Sequence, residues 1–272
     1  MIPQLIFSIL LLISIFYTAF NLEVGEVGLV SNLNALLIVL GGTLAATLIG
    51  YPSKKVIWTF QLLKKAFLAR DDIDSTINTI VDLARAYRQG GIRTLEQKGE
   101  NLPQGLLKTS IDLMAINCSK DKIEQILQKE TQFTYVQYES SHKILYNMAR
   151  LAPAFGLAGT IVTLIRVFGH ITEPKSLVGY MAIALFSTFY GVVLANLCFS
   201  PLSNKLREFM DQEERKLDLI QEGILDLYDK ENPTAIRFKL EALSTDLMKP
   251  NPPWTYPTPV YLPPKKRASS GV

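Results

Sequence analysis

Charge is what this sequence has least of. Of its 272 residues, 19% are charged, against about 25% in an ordinary soluble domain. The deficit is uneven. Residues 1–22, 27–53, 151–165 and 176–204 contain no Asp, Glu, Lys or Arg. That pattern excludes a wholly soluble protein and a disordered chain. Two cysteines exclude a disulfide scaffold, and with only two histidines they leave little material for a metal cluster. A net charge of +3 argues against nucleic acid as the main partner. No Gly-rich phosphate loop or zinc spacing is present, and neither His142 nor His170 has a triad partner nearby in sequence. The expectation is therefore no enzyme, no catalytic residue, no metal site and no cofactor.

What is present are long apolar runs. A helix needs about 20 mostly apolar residues to cross a ~30 Å hydrocarbon core. Met1–Phe20 meets that length and lacks the basic start of a signal peptide, so it reads as a retained first span. The second span is expected over Leu33–Tyr51, ended by Pro52, and the fourth over Leu177–Phe199, ended by Pro201. The third, from Leu151, meets Arg166 early, and a reentrant segment is its alternative. Pro153 is expected in its first turn, where proline costs little.

Lys and Arg set the orientation, because cytoplasmic flanks carry the positive excess. Residues 54–150 hold 15 of the 28 and residues 205–267 hold 11, while residues 21–32 hold none. Both large polar regions are thus expected in the cytoplasm, with both termini inside. The expected organisation is all-α: spans one and two in 1–51, a helical cytoplasmic loop in 52–149, spans three and four in 150–200, a cytoplasmic helix extension in 201–248, and a Pro-rich disordered tail in 249–272. Within the loop, Ile73, Ile77, Ile80, Val81 and Ala84 give one helix an apolar face, and Gly90-Gly91 stops it. Ile123, Ile126 and Leu127 begin another that runs toward span three. A long helix after Pro201 ends at Asn232-Pro233.

The spans have a second absence. Away from their edges, none contains Asp or Glu. Ion relays commonly use an intramembrane carboxylate, so any ion transport here needs a partner chain to supply one. Small residues recur instead. Ala152, Gly156 and Thr160 share one face of span three, with Gly159 beside them. Ser187, Gly191 and Ala195 do the same in span four, next to a stripe through Ala184 and Thr188. Such faces suit close helix packing in a bilayer. The hydroxyls of Thr160 and Thr188 either bond back to the carbonyl four residues earlier or meet an ion or a partner's carboxylate.

At these residues the chain resembles the MotA/PomA family of flagellar motor stator proteins. Span four reads ALFSTFYGV from Ala184, with Pro201 ten residues beyond Gly191. Span three reads LAPAFGLAGTIVTLI from Leu151, similar to the family's APAxGxxGTxxGLI. LGGTLAATLIGYP from Leu40 and QEGILDLYDKENP from Gln221 resemble two further family elements. The resemblance implies a pentameric ring around two copies of a MotB/PomB-like single-span partner. It implies proton or sodium flow across the bacterial inner membrane, and torque on the rotor protein FliG. By the same resemblance Pro153 and Pro201 match prolines that couple ion flow to movement. Thr188 matches a threonine near the partner's essential Asp, and Thr160 one prominent in sodium-type members. Arg88 and Glu96, with Gly91 and Leu95 between them, match the charged pair that engages the rotor. Arg166, Thr163 and Arg150 depart from the family pattern. An ExbB/TolQ-type energiser would have one span before its large loop rather than two. A passive membrane scaffold is the remaining alternative.

Overall fold

The computed structural model describes residues 29–68, 73–169 and 174–248. The expected first span and the Pro-rich tail lie outside the described residues. Among those described, every regular element is helical. Helix α1 spans Leu29–Gly50 and α2 Ser53–Leu68. Helix α3 spans Ile73–Glu100, α4 Leu106–Ala115 and α5 Lys120–Gly169. Helix α6 spans Pro174–Val193 and passes through a π-helical segment, Leu194–Phe199, into α7, Ser200–Tyr228. Helix α8 spans Pro233–Met248. Among the described residues, three stretches are long and apolar enough to cross a membrane: Leu33–Gly50, one within Lys120–Gly169, and one within Gly179–Tyr228.

The helix ends follow local chemistry. Helix α1 stops before Pro52, which biases Tyr51 away from helical geometry. The Pro52 carbonyl then accepts from the Lys55 N–H at 2.9 Å and opens α2. In α3 the expected stop at Gly90-Gly91 is a kink after which the helix resumes. Gly91 has φ 69° and ψ −161°, a region that side chains beyond hydrogen rarely enter. Asn232 caps α8 by accepting the Thr234 N–H on Oδ1 at 3.0 Å.

Two proline expectations fail. Pro153 lies deep inside α5, a helix of 50 residues, rather than in the first turn of a new one. The continuous helix also overturns the reentrant alternative for span three. Interior proline removes one backbone hydrogen bond and crowds the carbonyl four residues back. Here the affected turn packs against α6, where a Cβ added to Gly191 would lie 3.2 Å from Pro153 Cα. Pro201 likewise does not end its helix. The wider π-helical turn immediately precedes it and relieves the same crowding, so the chain continues to Tyr228.

The chain divides into two compact units, Met1–Asp71 with Gln132–Glu213 and Asp72–Thr131 with Glu214–Val272. The first unit's core includes Val39, Leu62, Ile144, Met148, Leu206 and Phe209. The second unit's core includes Ile77, Ile80, Leu95, Ile111, Ile224 and Leu240.

Candidate functional site

The faces of small residues on spans three and four are packed against each other. Gly156 and Gly191 are both buried. A Cβ on Gly156 would lie 2.8 Å from the Ser187 carbonyl oxygen, and one on Gly191 would lie 2.8 Å from that of Ala152. Both contacts are with backbone, which cannot swing aside. Gly159 sits in the same seam, where a Cβ would lie 2.9 Å from Ser187 Oγ and 3.1 Å from Ile38 of α1. Ala184, Ser187 and Ala195 are buried along the α6 side and its π-helical continuation. Small residues at i, i+4 spacing thus let two backbones touch, which is how helices associate where lipid removes the hydrophobic driving force.

At the edge of this seam the two threonines meet. Thr160 Oγ1 lies 2.5 Å from Thr188 Oγ1, 2.9 Å from the Ala184 carbonyl oxygen and 3.1 Å from the Gly156 carbonyl oxygen. Thr160 therefore bonds both within its own helix and across to the next. The two hydroxyls carry two protons between them. If Thr160 donates to the Ala184 carbonyl, Thr188 donates to Thr160, and the Gly156 carbonyl keeps spare acceptor capacity. Thr160 is half-buried and Thr188 exposed, so this oxygen cluster faces open space beside a closed seam. Oxygen-only sites of this kind suit hard cations. Pro153 flanks the seam through Gly191, whereas Pro201 is exposed at the far end of the π-helical segment.

Arg88 and Glu96 belong to the second unit. They lie on either side of the Gly91 kink, and both are exposed. Neither forms an ion pair among the described residues. The neighbouring turns are tied down instead: Lys98 Nζ reaches the Asp82 carbonyl at 3.5 Å, and Lys230 sits over the Tyr87 ring at 5.2 Å.

Several polar contacts of the first unit had little sequence signal. Thr43 and Thr47 are buried in α1, and each donates to the carbonyl four residues earlier at 2.7 Å. Their four-residue spacing was the available clue. Asn147 Nδ2 donates to the Tyr51 hydroxyl at 2.5 Å, across 96 residues of chain. Arg207 bridges Glu139 at 3.3 Å and Asp211 at 3.3 Å beside half-buried His142. Burial pushes the His142 pKa below its ordinary value, with Glu139 working in the opposite direction. Among the described residues no group of His, Cys, Asp and Glu could hold a metal ion.

The family model described as the MotA/TolQ/ExbB proton channel family matches residues 98–219. The chemotaxis protein PomA of Vibrio alginolyticus is 30% identical over 213 residues, covering 78% of this chain and 83% of that protein. Motility protein A of Aquifex aeolicus is 30% identical over 220 residues, covering 78% and 85%. Among solved structures, MotAB of C. jejuni superposes with a TM-score of 0.78 at 19% identity, over 94% of this chain and all of that one. The flagellar MotAB stator complex of Bacillus subtilis gives 0.67 at 24% identity, over 76% and 82%. At these identities the structures speak for the fold. With the covered lengths and identities of its relatives, the chain belongs to the MotA/PomA family, within the MotA/TolQ/ExbB proton channel family.

Proposed function

We propose that this protein is a flagellar motor stator subunit that couples ion flow to torque. The observation that carries the reading is the Thr160–Thr188 oxygen cluster, open on one side of a closed helix seam. The spans themselves supply no carboxylate away from their edges. In this reading a MotB/PomB-like single-span partner provides it, inside a ring of five copies of this chain around two of the partner. The ring sits in the bacterial inner membrane with four spans per subunit and both termini in the cytoplasm. A proton or sodium ion neutralises the partner's carboxylate and makes its helix face cheaper to bury. Release of the ion restores the charge and biases the ring toward its next contact. Each monovalent cation crossing 100 mV carries about 2.3 kcal/mol.

The roles of the remaining residues follow. Thr160 and Thr188 line the ion's path near the partner carboxylate. Pro153 and Pro201 interrupt backbone hydrogen bonding, which lets the spans move in response. Gly156, Gly159, Ala184, Ser187, Gly191 and Ala195 keep the seam closed during that movement. Arg88 and Glu96, exposed at a kink, engage the rotor protein FliG through charge. That contact weakens as salt rises, because exposed charges are screened. The two spans expected before the large loop favour this reading over an ExbB/TolQ-type energiser.

The test is motility in a host lacking its own stators, with this chain and its single-span partner coexpressed. Swimming speed is recorded while sodium is exchanged for potassium at fixed pH. Collapse without sodium makes this a sodium stator and gives Thr160 a coordinating role. Speed that persists but falls with a protonophore makes it a proton stator. Motility indifferent to both, or no ion flux by the pair in vesicles, would overturn the proposal.

A further inference from the structure

Away from the threonine pair, the first unit holds a second feature with its own chemistry. A cavity of about 530 Å³ opens between the last turn of α1 and α5, lined by Ala46, Thr47, Gly50, Tyr51, Asn147, Arg150 and Leu151. Its walls divide by polarity. Ala46, Gly50 and Leu151 are apolar, and the Thr47 hydroxyl is already committed to the Thr43 carbonyl. Arg150, Asn147 and Tyr51 are polar, and all three are donors. Asn147 gives one amide proton to Tyr51, which leaves its second proton and the tyrosine's own hydroxyl proton available.

No carboxylate is among these residues. Arg150 is exposed and forms no ion pair among the described residues. The acidic residue before it on α5 is Glu139, about 16 Å away along the helix. Glu139 is held by Arg207 at 3.3 Å and Lys143 at 3.7 Å. On the α1–α2 side, residues 27–70 carry Lys54, Lys55, Lys64, Lys65 and Arg70 and no acidic residue at all. The cavity's depth is also marked. Gly50 and Leu151 lie at the ends of the charge-free stretches 27–53 and 151–165. It therefore sits where apolar chain gives way to charge, the level of lipid headgroups.

We infer that this cavity binds an anionic phospholipid. The phosphate is taken by the Arg150 guanidinium, whose forked donors match phosphate oxygens, with the Asn147 amide and Tyr51 hydroxyl donating beside it. The first part of the acyl chain follows Ala46, Gly50 and Leu151. A lipid so held would bridge the C-terminal end of α1 and the middle of α5 and add to the Tyr51–Asn147 contact that already joins them.

The experiment uses the full chain copurified with its single-span partner, in nanodiscs of phosphatidylcholine containing a minor fraction of phosphatidylglycerol. Lipids retained after gentle detergent transfer are counted by native mass spectrometry. The expected result is phosphatidylglycerol enriched over its bulk fraction. Arg150→Gln should reduce that enrichment about fivefold, and Arg150→Lys, which keeps the charge and loses the fork, should give an intermediate value. Ala46→Phe keeps every charge but fills the cavity, and should lower enrichment similarly. Lys64→Gln, exposed and outside the cavity, should change nothing. Equal enrichment in wild type, Arg150→Gln and Ala46→Phe would overturn the inference. So would displacement of the lipid by millimolar glycerol phosphate, which would make the ligand a soluble anion. Absent enrichment, with Arg150→Cys crosslinking between copies, would also overturn it and make the cavity an interface between subunits.

Discussion

The helix seam of the first unit and the core of the second are built from different materials. The seam between α5 and α6 in the first unit is closed by Gly156, Gly159, Ala184, Ser187 and Gly191, with backbones in near contact. The core of the second unit is closed by Ile77, Ile80, Leu95, Ile111, Ile224 and Leu240, and its helices are joined by ion pairs such as Lys239 with Asp226 at 2.8 Å. A water-exposed unit gains from hiding large aliphatic side chains. Helices surrounded by hydrocarbon gain nothing from that, so close approach must hold them. Large apolar groups on the spans turn outward instead: Leu157, Ile161, Ile165 and Leu185 are all exposed on the single chain.

The sharpest way to break this contrast is to put a large side chain into the seam. Gly191→Leu should abolish the assembled complex in membranes, read by blue-native electrophoresis, because the new Cβ meets backbone rather than a movable side chain. The converse change belongs in the second unit. Ile224 is fully buried, and Ile224→Ala should cost about 2–5 kcal/mol through the cavity left behind. Denaturant unfolding would measure that loss, and an effect below 1 kcal/mol would mean that this core is not what holds the unit.

Lys239→Met should have a smaller effect. It strands the buried Asp226 carboxylate, yet the lysine side chain is 42% exposed and water moderates the loss. About 1–2 kcal/mol is expected. Burial works against the Lys239 ammonium, but hydrogen bonds to Asp226 and Glu222 and their charges more than offset it and hold the pKa above the usual lysine value. A raised pKa means that this contribution is whole at neutral pH and fades as pH rises beyond the ordinary lysine value.

The smallest effect concerns His142. Its pKa is lowered by burial, so the unfolded chain takes up the proton more readily. Its contribution to stability is complete above about pH 6.5 and is lost as pH falls below that value. Thermal unfolding at several pH values should show this slope, and His142→Gln should flatten it.

How much of this was legible in the sequence varies from residue to residue. The small-residue faces could be read from spacing, because four-residue recurrence is a property of one helix. That they are each other's mates could not, since spacing says nothing about which surface a face meets. An interruption at Gly90-Gly91 and the break at Asn232-Pro233 were legible because glycine and proline act on the local backbone, but the first was read as a stop and is a kink. Pro153 misled for the same reason. A proline that opens a helix and one inside it look alike when charge-free sequence begins at Leu151. Whether the helix continues backward depends on amphipathic turns upstream. The π-helical segment before Pro201 left no compositional trace. The Tyr51–Asn147 contact and the cavity beside it join residues far apart in the chain, and only folding brings them together.

In the proposed function the paired threonines serve ion coupling rather than packing. The direct measurement replaces Thr160 and Thr188 by Val and by Ser in the coexpressed pair, and scores swimming and assembled complex on the same cells. Val keeps the shape and removes the hydroxyl, while Ser keeps the hydroxyl. The Val variants should assemble but not swim, and the Ser variants should retain motility. Val variants that swim normally, or that fail only because the complex no longer assembles, would contradict it.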